Sequence, residues 1–181
     1  RPPGIDGGTI GLLGAAVRWD TRDDETIPRR GTLPEWSYET SHHSLRGLLL
    51  PTVGYSRYTV SDLRYRPVGR RLDLANRVVF EVMQGRVPVD VYGDLGGLRR
   101  KVRGRGGDET LRGYDTSRFI DDVRFFSNTE LRWKLHVHRA LRQYLEWTGV
   151  GFVDAGRVWP DLASLTPRGT RFTAGVGLRI T

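Results

Sequence analysis

The sequence predicts an all-β chain: an antiparallel, up-and-down transmembrane β-barrel, of which about seven strands are present. Three observations carry this. First, Val123 to His138 keeps a period of two over 16 residues. Its odd positions are Val, Phe, Ser, Thr, Leu, Trp, Leu and Val, and its even positions are Arg, Phe, Asn, Glu, Arg, Lys, His and His. Such alternation makes a strand with one apolar and one charged face. A soluble strand usually has about 5–6 residues, so a run of this length fits the wall of a membrane barrel better. Second, glycine is abundant, with 23 residues, helix signals are scarce, and there is no apolar run of the roughly 18 residues that a membrane helix needs. Third, the connections between strand-like runs alternate between tight and long, as they do in outer-membrane barrels.

Taken in order, Thr9 to Trp19 is a strand of small residues, and Asp20 to Gly31 is a turn closing on Pro28-Arg-Arg-Gly31. Thr32 to about Ser41 is a weaker strand, and His42 to Val53 reads as a loop because Leu48, Leu49 and Leu50 have no clean phase. Gly54 to Arg66 is an aromatic-rich strand, and Pro67-Val-Gly69 is a tight turn. Arg71 to Met83 sets Leu72, Leu74, Val78, Phe80 and Val82 on one face, with Arg71, Asp73, Arg77 and Glu81 on the other. A long non-periodic segment runs from Gly85 to Gly113, and the Val123 strand comes after it. Arg139 to Tyr144 is a short helical turn or the start of a strand; Glu146 to Trp159 and Arg171 to Thr181 complete the set. In the last run Phe172, Ala174, Val176, Leu178 and Ile180 share a face.

A chain of 181 residues is the size of one domain. Its net charge of +8 and pI near 10.4 point to an anionic partner such as nucleic acid or lipopolysaccharide, or to an arginine-lined pore. The absence of cysteine excludes thiol chemistry and cysteine-based metal sites. Arg1-Pro-Pro-Gly-Ile-Asp6 has no apolar core segment and is not a signal peptide, so a leader was removed or the chain begins inside a larger protein.

Several features invite a functional reading and have a plainer one. Asp20, Asp23, Asp24 and Glu25 lack calcium-loop spacing and sit among Arg18, Arg22, Arg29 and Arg30, so a solvated turn is expected. His136 and His138 share a face without a third metal ligand nearby, so they read as polar residues of the lumen, and His42 and His43 as loop residues. Arg99 to Gly107 resembles an arginine-glycine segment that binds nucleic acid or lipopolysaccharide phosphate, against a plain basic loop. Trp19, Trp133, Trp147 and Trp159 belong either to interfacial girdles or to the core. There is no nucleophile–base pair, phosphate loop or cofactor motif, so neither an enzyme, a cofactor nor a metal is expected.

Four patterns, in order, resemble the barrel of the BamA/TamA outer-membrane assembly family, the bacterial surface antigen domain. They are Asp20-Thr-Arg-Asp23 with Pro28-Arg-Arg-Gly31; Gly96-Gly97 with Leu111-Arg-Gly-Tyr114; Asn128-Thr-Glu-Leu-Arg132; and Phe152-Val-Asp-Ala-Gly156. The closing Ala174-Gly-Val-Gly-Leu-Arg179 also fits. The resemblance implies an outer-membrane barrel of about sixteen strands, of which this chain would be roughly the second half, ending about two strands short and without the family's terminal aromatic residue. Residues 1–181 would thus be a partial barrel domain with a long lumen loop over about 85–120.

The resemblance also implies a latch. The loop folds into the lumen and its Arg112 meets Glu130 and Asp154 on neighbouring strands, with Tyr114 and Phe152 packing nearby. The residues themselves agree: Glu130 lies on the charged face of its strand, Asp154 is in phase with Phe152 and Gly156, and a guanidinium fork satisfies two carboxylates together. Gly113 is expected where a side chain would collide with the wall, and Gly156, Gly175 and Gly177 where the loop needs room.

In function, the resemblance implies insertion or translocation of proteins at the outer membrane of a Gram-negative cell. The partners would be outer-membrane lipids and lipopolysaccharide, unfolded outer-membrane proteins and periplasmic assembly factors. Two alternatives stay open: a passive barrel anchor or pore fused to another domain, and a soluble all-β module holding nucleic acid through Arg99–Arg105, the latter the less expected.

Overall fold

A computed structural model of the chain describes residues 11–41, 54–88, 91–95, 102–103, 110–114, 119–140 and 143–181. The strands are β1 (Leu13–Arg18), β2 (Gly31–Ser41), β3 (Tyr55–Pro67), β4 (Leu72–Gly85), β5 (Asp94–Leu95), β6 (Val102–Arg103), β7 (Val123–Ala140), β8 (Gln143–Trp159) and β9 (Arg171–Ile180). Seven of them form one antiparallel sheet in the order β1-β2-β3-β4-β7-β8-β9. Between β4 and β7 lie a 3₁₀ turn at Val91–Gly93 and the two-residue strands β5 and β6, which pair with each other. The segment read as wholly non-periodic therefore contains a small ladder. Of the ambiguous Arg139–Tyr144 stretch, the described residues are strand: Arg139 pairs with Tyr144 and Ala140 with Gln143. Gly96-Gly97, His42-His43 and most of Arg99–Gly107 lie outside the described residues.

The register sorts the side chains into two faces. Trp36 stands opposite Val17 and Val60, Val60 opposite Phe80, and Phe80 opposite Phe125. Trp133, Leu131, Val153, Phe172, Val176 and Leu178 are on this same outward face, and all are exposed. The inner face carries Glu35, Glu39, Arg57, Asp73, Glu81, Arg124 and Asp154, all buried. Apolar outside and charged inside is the inverse of a soluble protein and the arrangement of a membrane barrel wall. The apolar packing on the inner side is small: Val79 against Phe126, and Tyr55, Met83, Val87 and Val91 with Tyr92.

One expectation fails here. His136 and His138 do not face the lumen. The β7–β8 register shifts between Lys134 and His136, so that Lys134 pairs with Thr148 but His136 pairs with Trp147. The extra residue, Leu135, is a β-bulge, and a one-residue shift turns every later side chain to the other face. His136 and His138 consequently stand outward with Trp147, whose Nε1 donates to His138 Nδ1 at 3.2 Å.

Tryptophan placement separates the two readings left open for it. Trp19 and Trp133 are exposed at the short-turn end of the sheet, and Trp36, which had no place among the girdle candidates, is exposed further along. Trp159 is buried, its Nε1 donating to the Thr166 carbonyl in the β8–β9 connection.

Candidate functional site

Asp154 and Glu130 reach the inner face because each is even-numbered on a strand whose odd positions face outward. Register sets Asn128 opposite Asp154 and Glu130 opposite Phe152, so the two carboxylates sit on adjacent strands two residues apart. Arg112 comes from the segment between β4 and β7. Its Nε and Nη2 donate to Asp154 Oδ2 and Oδ1 at 2.8 and 2.6 Å, and its Nη1 donates to Glu130 Oε1 at 2.7 Å. The Arg112 backbone N–H also donates to Asp154 Oδ2 at 3.1 Å. The guanidinium lies 3.6 Å from the centre of the Phe152 ring, a close cation–π contact.

The two acids are not equivalent. Glu130 also receives Arg132 at 2.9 Å and Arg179 at 3.5 Å. Asp154 is fully buried, and among the described residues its side-chain partner is Arg112. Removal of Arg112 would therefore strand Asp154 far more than Glu130.

The neighbouring residues hold the segment in place. Gly113 has φ +91°, and a Cβ there would come only to 3.9 Å from Thr173 Cγ2. Glycine is required by the left-handed backbone and not, as expected, by a collision with the wall. At Gly156 the collision is real: a Cβ would lie 2.7 Å from Leu111 Cδ1. Gly175 makes room for the Phe152 ring, at 2.6 Å, whereas Gly177 faces open space within 4 Å and accommodates nothing. Tyr114 packs edge-on against Phe119, their centroids 5.2 Å apart. Asn128 Nδ2 donates to the Thr110 carbonyl at 2.5 Å, adding a second tie between β7 and the segment.

A second cluster was not foreseen from the sequence. Glu39, Arg57, Glu81 and Arg124 come one each from β2, β3, β4 and β7. Glu39 is opposite Arg57, and Glu81 is opposite Arg124. Arg57 Nη2 meets Glu39 Oε2 at 2.5 Å, Arg124 Nη1 meets Glu81 Oε1 at 3.3 Å, and Thr59 Oγ1 donates to Glu81 Oε2 at 3.1 Å. The result is an alternating ladder of charge across four strands. Arg124 also donates to the Tyr92 carbonyl at 3.4 Å and lies over the Tyr92 ring, tying the ladder to the root of the β4–β7 segment. The Tyr92 hydroxyl is pushed up to about 12 by burial and by its hydrogen bond to Asp122. The available signal was that all four residues fall in phase with the polar face.

The family model for the Omp85 superfamily domain matches residues 11–181. The chain belongs to the Omp85 superfamily. The match is consistent with the BamA/TamA-type barrel that the four motifs resemble, and it makes this sheet an outer-membrane-type β-barrel wall. No curated protein matches the chain.

In this Omp85 domain the first motif is a turn held by its own acids. Asp23 Oδ1 accepts the backbone N–H groups of Arg29 and Arg30, and Asp24 Oδ1 accepts those of Thr26 and Ile27. Asp20 pairs with Arg22, which holds its carboxyl down to about 2. With their oxygens so engaged, these acids form a structured turn, and no group of three metal-ligating side chains occurs among the described residues.

Proposed function

We propose that the domain is an outer-membrane barrel of the BamA/TamA type that takes part in inserting or translocating proteins, with the β4–β7 segment latched to the inner wall by Arg112. The observation that carries the reading is the fork itself: one cation from off the sheet joins two adjacent strands on the face turned away from lipid. Superfamily members are assembly and translocation factors that work without chemical catalysis, in company with outer-membrane proteins and assembly factors. The fork suits such work, because it makes a wall contact that can be formed or released without breaking the wall's own hydrogen bonds. On this reading residues 1–181 form part of a larger barrel, with a lumen loop over about 85–120, placed in the outer membrane of a Gram-negative cell. Seven strands alone would leave open edges in hydrocarbon, at a cost of several kcal/mol for each unsatisfied backbone group. The same membrane setting provides outer-membrane lipids, lipopolysaccharide and unfolded barrel proteins as partners.

The test is depletion of the full-length protein in its own cells. The folded, heat-modifiable fraction of other outer-membrane barrel proteins is expected to fall several-fold, and Arg112→Lys, which keeps charge but loses the fork, to restore it only partly. Unchanged levels of those proteins, with this protein itself heat-modifiable, would leave a passive anchor or pore.

A further inference from the structure

The outward face of β2, β3 and β4 is electrically lopsided. At the long-loop end of β2, β3 and β4 its positions are Thr40, Ser56 and Gln84, all uncharged. At the short-turn end, Arg64 and Arg66 follow Tyr58, Val60 and Asp62 on the outward side of β3, and Arg70 and Arg71 stand in the turn just beyond. All four arginines are exposed. Arg64 donates to Asp62 at 2.6 Å. Arg66, Arg70 and Arg71 have no acidic partner among the described residues. Trp133, opposite Leu72 in the register and 58% exposed, stands at the same end.

An outward arginine on a barrel is tolerated at headgroup depth and costly at the bilayer midplane, and an outward tryptophan favours the same depth. Arg64, Arg66 and Trp133 together therefore mark where the hydrocarbon stops. The anions at that depth are lipid phosphates, and a guanidinium presents the fork that a phosphate accepts. We propose that the turn end of the β3–β4 hairpin is a phospholipid site, in which Arg66, Arg70 and Arg71 hold phosphates of anionic phospholipid in the leaflet facing the short turns. The site rests on the barrel reading above, and it adds a leaflet, a lipid class and the residues that select it.

The test uses the full-length protein in nanodiscs of phosphatidylcholine, with or without phosphatidylglycerol, read by the midpoint of heat-modifiable migration. Phosphatidylglycerol is expected to raise the wild-type midpoint, and Arg66→Gln/Arg70→Gln/Arg71→Gln to lose most of that rise. Arg168→Gln, exposed in the connection at the opposite end, is expected to keep it. A triple variant that keeps the full rise overturns the site. So does an equal rise from inorganic phosphate with phosphatidylcholine alone, which would mark a soluble-phosphate site. If the triple variant does not assemble, Arg70→Gln and Arg71→Gln are measured singly, and two unchanged rises overturn the site as well. A wild-type protein with no heat-modifiable form in any lipid would instead remove the barrel reading, and the site with it.

Discussion

The ladder and the fork are both clusters of buried charge on one inner wall, but they are assembled from different materials. The ladder is made wholly of the wall: one residue from each of four successive strands, with side chains from 0% to 6% exposed. Its ion pairs exist as soon as the strands are in register. The fork draws its cation from outside the sheet, and the Arg112 side chain stays 19% exposed. Its bonds exist only when the segment is docked. The wall can thus lose the fork and remain a wall, whereas losing the ladder leaves charge stranded within it. Charge clusters of similar composition can therefore serve as construction in one place and as an attachment in another, and the origin of the cation tells them apart.

The comparison breaks most readily at Glu81. Glu81 stands 3.3 Å from Arg124 and 4.0 Å from Arg57, so Glu81→Ala removes a carboxylate that both buried arginines share and is expected to cost about 3–5 kcal/mol, seen as a fall in the midpoint of heat-modifiable migration. A cost under about 1 kcal/mol would mean that the ladder is solvated, as exposed pairs are.

Arg112→Ala and Asp154→Ala sharpen the other side. Their double-mutant cycle is expected to show a coupling of about 1–3 kcal/mol. The Arg112→Ala/Glu130→Ala cycle should give less, since Glu130 keeps Arg132 and Arg179. Strict additivity would remove the Arg112–Asp154 contact.

Next come the glycines. Gly156→Ala must displace the buried Leu111 and is expected to cost about 1–3 kcal/mol by overpacking. Gly113→Ala is expected to cost about 1–2 kcal/mol through its left-handed backbone alone. Equal stability of the Gly113→Ala protein would show that the segment changes conformation freely there.

The smallest effect lies in the Asp20–Gly31 turn. Asp23 and Asp24 are held below the ordinary carboxylate range by the backbone N–H groups they accept, and Asp20 by Arg22. Groups depressed in the folded state stabilise it above their unfolded range and lose that stabilisation as pH falls through the folded value. Amide exchange at Thr26, Ile27, Arg29 and Arg30, corrected for intrinsic rate, is therefore expected to quicken as pH falls below the ordinary aspartate range of about 4. The ladder and the fork should be unaffected by this local loosening. A flat profile would contradict the hydrogen bonds assigned to Asp23 and Asp24.

The sheet was legible because its two faces meet opposite environments, so each strand carries its orientation in its own residues. Leu72, Leu74, Val78, Phe80 and Val82 fall outward as the alternation implies. The ladder was not legible, because its members are spread from residue 39 to residue 124, and only inter-strand register brings them together. The bulge at Leu135 was hidden for a different reason. Trp133-Lys-Leu-His-Val-His138 alternates faultlessly in the sequence, and only the partner strand reveals that the phase has been reversed. Gly113 and Gly156 could be marked as necessary, but whether a dihedral or a contact demands the glycine depends on neighbours far away in the chain.

The fork has a consequence for alignment of the strands. If β7 slid by two residues along β8, every side chain would stay on its own face and the apolar pattern would register no error. Arg112 would. A slip in one direction sets Glu130 beside Asp154, two acids face to face; a slip in the other draws them apart, beyond one guanidinium's span. The arginine is a gauge cut to a single setting, and it measures the one mistake that a membrane, which distinguishes only oily from wet, is unable to detect.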